Sequence, residues 1–269
     1  MESTATHNTL RQVTTLRLTP SRIVSGLGAI AWTLTLISLG TQLVRYVGGH
    51  DHVYGLLPIA ERLFHLNEET NVPTLFSTFL HLVAAVSLFV LARLKSHQGD
   101  RDSLRWIILS IGFVYLAVDE AWSLHEMFNE PMRRVLGNGD RGLFHFSWVI
   151  PALAAVLFLS MFFFRFFLRL PSATQIQFLA AAALFLGGAI GMEMLAGEHI
   201  ERYGPDNLMH QLMIHIEESM EMAGVIVFIY ALLRYMEEHY HDITVLVGDS
   251  LPRESCPGLE SAQQDDVAA

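Results

Sequence analysis

The chain has 269 residues, of which 52% are hydrophobic and only 16% charged, with a mean hydropathy of +0.37. Soluble domains carry roughly 25% charged residues, so this one lacks the polar surface an ordinary soluble fold needs. The formal charge of −10 leaves no basic stretch suited to nucleic acid. The single cysteine, Cys256, excludes an intrachain disulfide and any strong thiolate metal site.

Residues 1–22 are polar and carry Arg11, Arg17 and Arg22. They read as a cytoplasmic segment ahead of a retained first helix, because the apolar run that follows is too long for a signal-peptide core. Six runs are long enough to cross about 30 Å of hydrocarbon as helices. They are Ile23–Val44, Val72–Leu91, Leu104–Glu126, Leu143–Phe164, Ile176–Gly197 and Leu212–Leu233. The fold class is therefore all-α, a polytopic bundle of six transmembrane helices over residues 23–236, since helices satisfy their own backbone in lipid.

Lysines and arginines set the orientation. With the N-terminus inside, the cytoplasmic segments hold 11 of the 17 and the opposite side 6. Both ends are expected in the cytoplasm, with the protein in a cell membrane of the bacterial inner-membrane type. Between the first two spans lie the histidine-rich GGHDH at 48–52 and LLPIAERLFHL at 56–66. The second of these reads as an interfacial helix with Leu56, Leu57, Ala60, Leu63 and Phe64 on one face. The 129–142 loop has turn signals at Pro131 and Gly137-Asn138-Gly139. The acidic, proline-containing tail, 237–269, is expected to be disordered.

Charged side chains at mid-membrane cost about 2.5–3.5 kcal/mol each on insertion scales, so they are rare and face the bundle interior. Here they gather on one side. The third span ends VDEAWSLHEMFNE, where a regular helix would align Asp119, Ser123, Glu126 and Glu130 and turn His125 away. The fifth ends GMEMLAGEHIE, with Glu193 inside the run and Glu198-His199 at its mouth. The sixth begins MHQLMIHIEESMEM, with His210, Glu217 and Glu221 on one stripe and His215, Glu218 and Met222 on another. His81 and His145 belong to the same, outer half, His81 about 13 Å in from that surface. Glu198, Glu201, Glu130 and Arg202 fit a solvated interface.

Clustered carboxylates in a dry site need protons, cations or both. Carboxylates mixed with imidazoles suit iron, manganese or zinc. A divalent metal, one or two per chain, is the expected cofactor. Asp119, Glu126, Glu193, His215, Glu218, His125 and His199 are the candidate ligands, with Glu120 and Glu221 as candidate catalytic bases. Metal-dependent chemistry on a lipid-soluble substrate is the activity that fits this location. No Glu-x-x-His pair occurs in these helices, the nearest feature being the reversed His215-x-x-Glu218, and HEMF at 125–128 lacks the second histidine of a zincin. Methionines 192, 194, 209, 213, 220 and 222 crowd the same region as packing or as a soft copper site. Glycines 187, 188, 191 and 197 suit close helix approach. A proton-coupled or cation transporter and a non-catalytic membrane subunit are the rival readings. The partners are membrane lipids and, in an assembly left open, further copies of the chain.

Overall fold

The computed structural model describes residues 19–47, 57–66, 68, 70–137 and 141–240, and these form helices and turns without a strand. The expectations for residues 48–52, for Asn138-Gly139 and for both termini lie outside the described residues.

In chain order the helices are α1 (Pro20–Val47), α2 (Leu57–Phe64), α3 (Val72–His97), α4 (Ser103–Trp122), α5 (Asn129–Leu136), α6 (Val149–Phe167), α7 (Ser172–Leu186), α8 (Glu193–Tyr203) and α9 (Leu208–His239). Short 3₁₀ turns at Leu124–Phe128 and Gly142–Phe144 precede α5 and α6, and a π-helical stretch, Gly187–Met192, joins α7 to α8.

Local chemistry accounts for most boundaries. Asn71 caps α3, its side chain accepting from Thr74 N at 3.1 Å, and Pro73 pre-forms the first turn. Gly99, at φ +70°, reverses the chain after α3. Asn207 caps α9 by accepting from His210 N at 2.9 Å.

Four helices have the length and apolarity of a bilayer crossing: Pro20–Tyr46, Val72–His97, Val149–Phe167 and the continuous Ser172–Tyr203. A fifth, Ser103–Trp122 with Leu124–Leu136, qualifies only as a pair bent by 82°. The six expected crossings are thus matched by four or five helices on those two criteria. α9 is the central helix, packed against α1, α3 and α7.

The third run departs most from expectation. It was expected to continue to Glu126, but α4 stops at Trp122, and Ser123 takes the left-handed region at φ +43°. The chain then turns into the 3₁₀ segment and α5. The Asp119 carboxylate supplies the reason: it accepts from His125 N at 2.7 Å, a bond a continuing helix would not permit. The fourth run starts later than expected, at Val149, because Gly142–Phe144 forms a separate turn.

One end of the bundle is basic. Asp102, at the start of α4, receives Arg169 in a two-point contact, Nε to Oδ2 at 2.8 Å and Nη2 to Oδ1 at 2.6 Å, and Arg105 at 2.5 Å. Arg169 holds the Asp102 carboxyl below the usual carboxylate range. Tyr240 donates to Gln98 Oε1 at 3.2 Å, and Lys95 lies over the Tyr235 ring. The ends of α3, α6 and α9 and the starts of α4 and α7 therefore meet there.

Above this end lies an apolar core rich in aromatic rings. Trp106 is buried against Phe166, Phe178 and Tyr235, and Phe113 stacks on Phe228 at 4.7 Å. Leu80, Leu88, Leu91, Ile229 and Leu232 complete it.

Candidate functional site

The opposite end gathers the carboxylates. Two glycines set how closely its helices approach. A Cβ on Gly188 would stand 2.8 Å from the Glu217 carbonyl oxygen, and one on Gly224 2.6 Å from Phe185 N. The π stretch and α7 therefore run almost backbone to backbone with α9. Gly187 and Gly197 are also tight, whereas Gly191 faces open space. The π stretch inserts an extra residue into the turn before Glu193, a device common near functional sites. It delivers that carboxylate toward α9.

Glu193 accepts from Trp148 Nε1 at 3.0 Å and lies beside Glu217. Glu217 and Glu221 also act on each other electrostatically, and Glu218 and Glu221 lie in range of Glu120 and Glu193. Glu120 lies near Ser77 on α3. Asp119 binds His125 twice, through the backbone N–H and through Nδ1 at 2.9 Å, and the His125 ring lies 4.4 Å from the Trp148 ring.

Asp119, Glu120, Glu193, Glu217, Glu218 and Glu221, from α4, α8 and α9, thus form one electrostatic cluster. Each is half-buried among the helices. Several arginines and a lysine pair with acids outside the cluster: Arg45 with Glu61, Lys95 with Asp100, Arg134 with Glu130, Arg202 with Glu198. No ion pair among those residues reaches Glu120, Glu193, Glu217, Glu218 or Glu221.

The seven expected ligands do not all converge. Asp119, His125, Glu193 and Glu218 share this region. Glu126 is exposed, because the break at Ser123 carries it off the Asp119 stripe. The same break turns His125 back onto Asp119 rather than away. His215 has both ring nitrogens engaged, Nδ1 on Gln211 O at 2.7 Å and Nε2 on Ser38 Oγ at 2.9 Å. His199 Nε2 binds Asn207 Oδ1 at 2.9 Å. Among the described residues, no three or more His, Cys, Asp or Glu side chains stand in an arrangement that would hold a metal ion. The expected bases Glu120 and Glu221 both lie within the cluster.

Glu201, expected at a solvated face, instead clamps the turn before α6. It accepts from Gly142 N at 2.7 Å and Arg141 N at 2.9 Å, and meets His145 Nδ1 at 3.1 Å. Sequence reasoning missed Trp148 as a partner and did not include Glu217 among the candidate site residues. Its stripe with Glu221 was the available signal. The methionines divide: Met222 is buried, Met209 exposed.

The molecule so defined is all-helical, with several helices of membrane-crossing character and a carboxylate cluster at one end. A family model described as Domain of unknown function (DUF8692) matches residues 26–236, and the chain belongs to that family. No curated protein and no solved structure matches it.

Proposed function

We propose that this chain is a multi-pass protein of the cell membrane whose carboxylate cluster binds a divalent cation from the outer side in exchange for protons. The spans in this reading are α1, α3, α4, α6, the α7–α8 helix and α9, with both termini in the cytoplasm. The arginine-anchored end is then the cytoplasmic one, in keeping with the distribution of positive charge. The exposed apolar faces support the lipid contact: Phe158 is 67% and Met161 72% exposed on α6.

One observation carries the reading: carboxylates from three helices crowd together with no lysine or arginine paired to them. Such a group is stable out of water only with protons or cations among its oxygens. Metal binding to carboxylates and imidazoles releases protons, so one site serves both occupants. The Asp119–His125 pair adds support, because a carboxylate that fixes an imidazole's Nδ1–H leaves Nε2 as a ligand. Iron, manganese and zinc are the fitting metals. The enzymatic form of the proposal is metal-activated chemistry on a lipid-soluble substrate. The packed aromatic core beyond the cluster argues against a through-path, and hence against a carrier.

Calorimetric titration of the detergent-purified full chain with Mn²⁺, in buffers of different protonation enthalpy, tests this. Binding with proton release, lost in Glu218→Gln and Glu193→Gln, is expected. A wild-type protein that binds none of Mn²⁺, Fe²⁺ or Zn²⁺ leaves the acids as a helix-locking network and ends the proposal.

A further inference from the structure

The chain turns through 82° where α4 ends, at Ser123. With α4 crossing the bilayer, the segment that follows, Leu124–Leu136, runs almost along the membrane plane at the acidic end. Its helix α5 has two opposite faces. Glu130, Arg133 and Arg134 are spaced i, i+3 and i+4 on one, and Met132, Val135 and Leu136 have the same spacing on the other. Val135 is 77% exposed and Leu136 is open beside it, as are Met127, 71% exposed, and Phe128 on the preceding turn. Packing within the chain makes little use of these four apolar side chains. A helix with such a face, laid flat, is the form that rests in a bilayer surface.

Arg133 and Arg141 bracket the turn after α5. Gly137 N donates to Arg133 O at 3.0 Å, and Arg141 Nη1 donates to Gly137 O at 3.3 Å. Both arginines are half-buried, and each has a covered Nε without a hydrogen-bond partner. Among the described residues no carboxylate forms an ion pair with either, whereas their neighbour Arg134 has Glu130. Unmet buried donors call for an explanation, and a guanidinium fork matches the oxygens of a phosphate. The segment is also tied to the carboxylate site. His125 binds Asp119 at 2.9 Å, and Asn129 Oδ1 accepts at 3.0 Å from the backbone N of Trp148, whose indole donates to Glu193.

We propose that Leu124–Leu136, together with Arg141, is a docking site for an anionic phospholipid at the outer surface of the bilayer. Met127, Phe128, Val135 and Leu136 rest against its acyl chains, and Arg133 and Arg141 extend to its phosphate. The proposal rests on the multi-pass reading above but not on cation binding. Charge complementarity selects the occupant. A phospholipid offers hydrocarbon and phosphate side by side, whereas a second copy of this chain would set the same two unpaired arginines against each other. A free phosphate would leave the apolar face uncovered.

The test uses the full-length protein. Native mass spectrometry from detergent should show phosphatidylglycerol retained in preference to phosphatidylcholine. The double variant Arg133→Gln, Arg141→Gln should lose that preference, by about 5-fold for each arginine, and Arg134→Gln should keep it. In liposomes, a spin label on Val135→Cys, in a Cys256→Ser background, should be relaxed more by oxygen than by a water-soluble nickel chelate. Equal retention of both lipids by the wild type overturns the proposal, as does a preference unchanged in the double variant. So does displacement of the lipid by inorganic phosphate that then binds as well alone, or a label open to the chelate. Spin–spin coupling between labels would make the face a contact between copies and overturn it too. Should the double variant fail to fold, the wild-type lipid preference and the label depth still decide. Release of the protein from membranes by alkaline carbonate fails the multi-pass reading, whereas a retained protein with a water-exposed label fails this assignment alone.

Discussion

The two ends of the bundle solve the problem of charge in opposite ways. At the basic end every named charge has a partner: Asp102 is met by Arg169 and Arg105, and Lys95 by Asp100 and the Tyr235 ring. Behind it, leucines and aromatic rings pack into one core, and the buried Ser110 hydroxyl beside it is satisfied by Ala85 O. At the acidic end, Glu193, Glu217, Glu218 and Glu221 lie in electrostatic range of one another, Glu193 accepts from a tryptophan N–H, and none forms an ion pair with a lysine or arginine among the described residues. Stability therefore resides mainly in the first region. The second is held in an arrangement that packing alone would not select, which is the usual mark of a site kept for binding.

Substitutions should separate the two regions. The largest expected effect is Trp106→Ala, which empties a fully enclosed site among Phe166, Phe178 and Tyr235. Thermal or denaturant unfolding in detergent should register a loss of about 3–5 kcal/mol, with Mn²⁺ affinity unchanged. A large fall in affinity alongside would mean that the halves are not separable.

Next comes Asp102→Asn, which removes the acceptor of a two-point guanidinium contact and should cost about 1.5–3 kcal/mol. The variant should also lose an acid dependence. Because Arg169 lowers the Asp102 pKa in the folded state, the contribution is present above the unfolded value and disappears as pH falls through the acid range, below about 4. Unfolding curves between neutral and strongly acid pH should therefore converge for wild type and variant. Parallel curves would show that the pair adds nothing.

Gly188→Ala joins packing to the site. Its Cβ would meet the Glu217 carbonyl oxygen at 2.8 Å, so the π stretch and α9 must separate, at about 1–3 kcal/mol. Cation binding should weaken with it, whereas alanine at Gly191, where space is open, should leave binding intact. Equal binding by both variants would detach the helix spacing from the site.

The smallest expected change in stability is Glu218→Gln. It removes one uncompensated carboxylate and keeps its shape, so unfolding should stay within about 1 kcal/mol of wild type, although cation binding is lost. A strongly destabilised Glu218→Gln protein would make the acids structural.

Much of this architecture is legible in the sequence. Apolar runs foretell α1, α3, α6, the α7–α8 helix and α9, and the depth of Asp119, Glu120, Glu193, Glu218 and Glu221 foretells that they face inward. Two tertiary events are not readable. A helical wheel drawn through VDEAWSLHEMF assumes continuity, but Asp119 captures the His125 backbone and breaks the helix, which removes Glu126 from the stripe and adds His125 to Asp119. The second is the π stretch. It shifts Glu193 relative to the register that a 3.6-residue period implies, and so brings it to Glu217. Trp148 lacks any sequence mark, since its importance lies in its bond to Glu193.

The most direct measurement is the metal content of the full-length protein, purified in detergent without chelator, beside Glu193→Ala and Glu218→Ala. Near-stoichiometric iron, manganese or zinc in the wild type, and its loss in both variants, is the predicted result. Metal that survives both substitutions, or a wild type that holds none even after incubation with these ions, would contradict a carboxylate centre built to take a cation.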